Sequence, residues 1–211
     1  YKEEVFQIDK ELINYFYLNR GYMNIQVEEP HVFLSPDKSR IYIDISLKEG
    51  DQFFADLIDI SGDILYAEKD MLAQIQMKTG DVLSYEVIQG DIRRISSLYL
   101  DDGYAYVNVI PRTKMDNENK RVGITYEIQK GKRVTIERIN FVGNDSTREK
   151  ILRRQMEIDE QELYSAKKIG SSRFNLQRLS FFQEVKITQK EGSTDDKMIL
   201  DVELEEKSTG T

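Results

Sequence analysis

Cysteine is absent from the 211 residues, and histidine occurs once, at His31. The first absence excludes disulfides, thiol catalysis and cysteine-ligated zinc; the second leaves almost no room for histidine metal sites or a catalytic triad. A cysteine-free chain suits the cytosol and the bacterial periplasm equally, so the compartment stays open. No apolar run approaches the roughly 20 residues that a membrane-spanning helix needs. Tyr1-Lys2-Glu3-Glu4 carries no secretory leader and reads as the start of a mature fragment. There is no Gly-rich phosphate loop, and no pair of carboxylates is set among apolar residues. The expectation is a non-enzymatic chain with no catalytic residue, metal or cofactor.

What is present is charge on a globular background. Charged residues make up 32% and apolar ones 39%, with a formal net charge of -8. That balance supports folded structure and disfavours nucleic acid as a partner, because phosphate binding needs a basic face.

The chain repeats itself. Phe16-Tyr17-Leu18-Asn19-Arg20-Gly21-Tyr22 returns as Leu98-Tyr99-Leu100-Asp101-Asp102-Gly103-Tyr104, 82 residues later. Arg40-Ile41-Tyr42-Ile43 is answered by Arg121-Val122-Gly123-Ile124, and Ile58-Asp59-Ile60-Ser61-Gly62 by Ile139-Asn140-Phe141-Val142-Gly143, both 81 apart. The units are then 1–48, only a second half, followed by 49–129 and 130–208, with 209–211 as a tail. Charged Gly turns, Glu49-Gly50-Asp51 and Lys130-Gly131-Lys132, join them with almost no linker.

Each full unit reads as strand, helix, helix, strand, strand. In the third, Val134 to Phe141 form a strand ending at Gly143-Asn144, and Asp145 or Ser146 caps the next helix with Glu149 completing a capping box. Ser165 starts a second helix whose Ile169, Leu176 and Leu179 recur at helical spacing. Met198, Leu200, Val202 and Leu204 then alternate with Asp201, Glu203 and Glu205, the period-2 pattern of a half-buried strand. A single apolar face means helices on one side of the sheet and water on the other. The expected fold class is α+β: tandem small β-α-α-β-β modules, each a three-stranded sheet covered on one face by two helices. The incomplete first unit is expected to be the least stable.

Three motifs in the third unit resemble the periplasmic POTRA domains of the BamA family of outer-membrane β-barrel assembly proteins. They are Ile139-Asn140-Phe141-Val142-Gly143-Asn144, Leu152-Arg153-Arg154-Gln155-Met156 and Arg178-Leu179-Ser180-Phe181-Phe182. The ending Val202-Glu203-Leu204-Glu205-Glu206-Lys207-Ser208-Thr209-Gly210-Thr211 resembles the segment leading into the barrel. By the same resemblance the second unit is similar to the penultimate domain, the first to half of the one before. Ser180 departs from the family's Gly. The resemblance implies a diderm bacterium, a periplasmic location and a membrane barrel of the same protein beyond Thr211. It also implies accessory outer-membrane lipoproteins and unfolded barrel precursors as partners. Related translocators of the TamA or two-partner secretion type, and a cell-division or adhesion module, are the competing readings.

Two candidate sites follow. If the last strand of each unit is central, the strand before it is a free edge able to take an extended peptide by β-augmentation. Those segments are 22–28, 104–110 and 184–189; the first, Tyr22, Met23, Asn24, Ile25, Gln26, Val27 and Glu28, is singled out for peptide docking. Pro30 and Pro111 just past two of them look protective. For lipoprotein docking, which the resemblance places on this unit, Arg153, Arg154 and Glu160 are singled out in a unit of mixed charge. Other signals are ordinary: Asn144-Asp145-Ser146 is a helix start, Asp116-Asn117-Glu118-Asn119 a hairpin turn, and His31 a surface residue.

Overall fold

A computed structural model describes residues 3–207, so the Ser208-Thr209-Gly210-Thr211 ending lies outside the described residues. Two compact units emerge. One runs to Arg94 and takes in Ile110–Glu127; the other comprises Ile95–Val109 and the described chain from Ile128 onward. No helix among the described residues is long and apolar enough to cross a membrane.

The first repeat consists of α1 (Glu3–Leu18), β1 (Gln26–Val27), β2 (His31–Leu34), β3 (Ile41–Asp44) and β4 (Leu47–Lys48). The second holds β5 (Phe54–Gly62), α2 (Glu68–Leu72), α3 (Tyr85–Asp101), β6 (Asn108–Asp116) and β7 (Arg121–Gln129). The third repeats that order as β8 (Thr135–Val142), α4 (Glu149–Arg153), α5 (Ala166–Arg178), β9 (Phe182–Glu191) and β10 (Lys197–Glu206). The sheets order as β5-β7-β6 and β8-β10-β9, so the last strand of each full repeat is central. β10 runs parallel to β8, with Leu200 beside Ile139, and antiparallel to β9, with Leu200 beside Gln189.

Alternation decides the core. Met198, Leu200, Val202 and Leu204 are buried with Ile136, Ile139, Leu152, Ile158 and Leu176. Each such side chain contributes roughly 1.5–3 kcal/mol when removed from water. In the first repeat the same positions stand open. Ile41 is 50% exposed, whereas its counterpart Val122 is 1% exposed.

The repeats also share their polar joinery. Buried Asp91 on α3 accepts from the backbone N–H groups of Gln76 (2.6 Å) and Met77 (3.2 Å), from the Tyr126 hydroxyl (2.9 Å) and from Arg94. Ser172, 81 residues on, does the same task with one hydroxyl, accepting from Glu157 N–H at 2.8 Å and donating to Lys168 C=O. Both hold the loop after the first helix against the second.

The junctions match as well. Asn19 accepts from the Glu86 N–H (2.7 Å) and the Ser84 hydroxyl, while the Gly21 carbonyl takes the Phe53 N–H at 2.8 Å. In the other unit Asp101 accepts from Lys167 N–H (2.9 Å) and the Ser165 hydroxyl, and the Gly103 carbonyl takes Val134 N–H at 2.8 Å. The end of one repeat's second helix therefore helps to cap the second helix of the next. Gly21 and Gly103 have φ of +82° and +96°, a region glycine enters without strain.

One local capping expectation holds and one is corrected. Ser165 caps α5 as expected, accepting from Lys168 N–H at 3.2 Å. The α4 start differs: Arg148 occupies the cap position with no side-chain bond. Glu206, at the end of β10, instead accepts from Ser146 and Thr147 N–H at 3.1 and 2.8 Å. Hydrogen bonding from the Thr147 side chain, together with those backbone bonds, holds its carboxyl below the usual carboxylate range.

Candidate peptide-docking edges

The strand before each hairpin turn is an edge; in the third repeat it contains the expected 184–189, but in the first two its position differs from the sequence expectation. Tyr22, Met23, Asn24 and Ile25 lie in turns: Tyr22 N–H returns to Tyr17 C=O, and Ile25 N–H to Tyr22 C=O. Only Gln26 and Val27 of that segment form a strand, paired with Lys48 and Leu47, while Glu28 N–H bonds Ser46 C=O beyond it. The left-handed Gly21, bound to the next repeat through Phe53, folds the following residues back before extension begins. The same displacement moves the expected 104–110 strand to Asn108–Asp116.

Proline then separates the three edges. Pro30 stands between β1 and β2, and Pro111 lies within β6, where it removes one backbone donor. β9 has ten residues, no proline, and pairs with β10 on one side. A groove of about 190 Å³ runs between β9 and α5, lined by Tyr164, Ile169, Gly170, Arg173, Ile187 and Gln189. The groove is open at Gly170, where a Cβ would meet nothing within 4 Å. Gln189 spans the groove to donate to the Tyr164 hydroxyl at 3.2 Å, and burial pushes that phenol's pKa up. Thr188 keeps its hydroxyl oxygen buried with no hydrogen-bond partner among the described residues.

The opposite edge of the third repeat is closed. Tyr164 N–H bonds Val134 C=O, and Ile136 exchanges bonds with Glu162 C=O and Gln161 N–H. Further along, the Glu160 carboxylate accepts from Ile139 N–H at 3.0 Å, while the Arg153 guanidinium donates to Ile139 C=O at 3.2 Å. Arg153 also pairs with Glu149 at 2.7 Å and lies over the Phe141 ring at 5.4 Å. Two of the three residues expected at a docking surface are thus engaged with their own strand edge. Arg154 is exposed and makes no ion pair among the described residues. The signal missed in the sequence was the repeat comparison itself: Leu72 and Thr79 stand where Arg153 and Glu160 do.

The family model described as POTRA, surface antigen variable number repeat, matches residues 55–131 and 134–207. The chain is 27% identical over 213 residues to an outer membrane protein assembly factor BamA of Nitratidesulfovibrio vulgaris, covering 99% of this chain and 27% of that one. The BamA of Neisseria meningitidis is also 27% identical over 213 residues, covering 100% of this chain and 27% of its own length. The chain therefore spans about a quarter of these relatives. Among solved structures, Haemophilus influenzae BamA POTRA3-5 superposes with a TM-score of 0.83 at 23% identity, covering 95% of this chain and 80% of that one.

Proposed function

Since the chain belongs to the POTRA family, we propose that it is the periplasmic scaffold of an outer-membrane protein assembly machine, receiving unfolded barrel precursors by strand addition along β9. The uninterrupted β9 edge beside the α5 groove is the observation that carries this reading. An added strand recognises backbone N–H and C=O groups, so it accepts many sequences, and the groove offers alternate side chains a mixed lining, apolar at Ile169 and Ile187 and polar at Arg173 and Gln189. The first-repeat segment 22–28 has only Gln26 and Val27 to offer as strand and is a lesser candidate. The membrane barrel of the same protein would anchor the scaffold.

An accessory lipoprotein would dock on the third repeat through Arg154, ahead of Arg153 and Glu160, whose polar atoms already serve β8. Arg154→Glu is then the variant expected to lose lipoprotein binding.

Photo-crosslinking tests the main reading. A crosslinker at Gln189 should capture a urea-unfolded barrel protein on dilution, and one at Glu203 on the outer sheet face should not. Equal capture at both positions would count against a defined edge site.

A further inference from the structure

The two full repeats treat the outer edge of their first strand differently. In the second repeat, β5 is covered only at its start: Leu83 N–H bonds Phe53 C=O, Ala55 exchanges bonds with Asp81 C=O and Gly80 N–H, and the Thr79 hydroxyl donates to Asp56 C=O. Past that point the clamp found on β8 has no equivalent. Leu72 replaces Arg153 and Thr79 replaces Glu160, so nothing outside the strand bonds the Ile58 backbone on its outer edge among the described residues. Ile60 N–H is taken by the side chain of its own neighbour, Asp59, at 2.8 Å. In the third repeat the corresponding Asn140 reaches across the sheet to Asp201 instead.

We infer that the outer edge of β5 from Leu57 to Ile60 docks an extended basic segment of another polypeptide, added as a strand. Unpaired backbone groups on an edge are a template for such addition. The side chains select the occupant. Leu57 is 69% exposed, an apolar anchor for a cross-strand neighbour, and it is flanked by exposed Asp56 and Asp59. The repeat as a whole carries 8 basic against 15 acidic residues. Opposite charges facing across a strand pair stabilise it and like charges oppose it. A strand alternating apolar and basic residues fits, whereas a second copy would bring an edge that carries the same Asp56 and Asp59. Strand addition here is independent of whether β9 is used.

The test is an NMR titration of the ¹⁵N-labelled chain with a ten-residue peptide alternating valine and lysine, beside its valine–glutamate counterpart. The lysine peptide should shift the Leu57–Ile60 amides, with binding at least tenfold weaker for the glutamate peptide. Installing the clamp by Leu72→Arg with Thr79→Glu should remove the shifts. N-methylating the peptide throughout should remove them with no change to the protein. No shift at residues 57–60 at millimolar peptide, or equal shifts with both peptides, overturns the inference. Shifts confined to 182–191 overturn it while supporting the β9 reading. Self-association without peptide that the clamp relieves would assign the edge to a second copy, and also overturns it.

Discussion

The Arg153 guanidinium lies 3.5 Å from the Glu160 carboxylate, and the Ile139 backbone is held by both. The pair occupies the hydrogen-bonding groups that a neighbouring strand would otherwise take. Edge strands invite unwanted pairing, and a side-chain clamp is one way to close them.

Removing the clamp should therefore open the edge without unfolding the repeat. Arg153→Ala with Glu160→Ala is expected to cost about 1 kcal/mol per lost hydrogen bond. Hydrogen exchange at Ile139 should accelerate at least tenfold while Leu200 on the central strand stays protected. Unchanged exchange at Ile139 would show that the clamp does not guard the strand.

Two glycines in the third repeat should respond in opposite ways. Gly143 has φ of +85°, and a Cβ there would overlap the Leu204 carbonyl oxygen. Gly143→Ala should lose roughly 2–4 kcal/mol in urea unfolding, combining backbone strain with the displacement of β10. Gly170→Ala, with space around it in mid-helix, should gain about 0.5–1 kcal/mol. Gly170→Leu should fill the α5 groove and weaken peptide binding on β9.

Asp91 carries more than its counterpart Ser172. Asp91→Ala removes the ion-pair partner of Arg94, which keeps its bond to the Gln74 carbonyl, and leaves the Tyr126 hydroxyl and two backbone donors without their Asp91 acceptor, which should cost about 3–5 kcal/mol. Ser172→Ala releases one backbone donor and should cost about 1–3 kcal/mol. Chemical denaturation of the two variants measures the difference directly.

The β2–β3 turn should respond to acid. Hydrogen bonds from the Ser35 and Ser39 hydroxyls and the Ser39 N–H hold the Asp37 carboxyl at about 2, below its ordinary 3.8. A depressed carboxyl stabilises the turn above its unfolded pKa, and that contribution is lost as pH falls through the folded value. The Ser39 amide shift should accordingly titrate near pH 2, and Asp37→Asn should abolish the titration.

Local alternation and capping were legible in the sequence. The apolar series Met198, Leu200, Val202 and Leu204 and the Ser165 cap depend on near neighbours, and both are seen in the structure. Long-range polar choices were not legible. Glu206 serves an N-terminus about 60 residues away in sequence, and Glu160 serves Ile139, so neither follows from local spacing. Tyr22 to Ile25 looked extended because aromatic and branched residues suit strands. The bond from Phe53 to Gly21 and the return of Tyr22 to Tyr17 override that preference.

The most direct measurement is an NMR titration of this chain with short peptides copied from outer-membrane barrel strands. Amide shifts along Phe182–Glu191 and around Gly170 are expected, and they should persist when the peptide's side-chain order is scrambled. No shift in that stretch at millimolar peptide would contradict strand addition on β9.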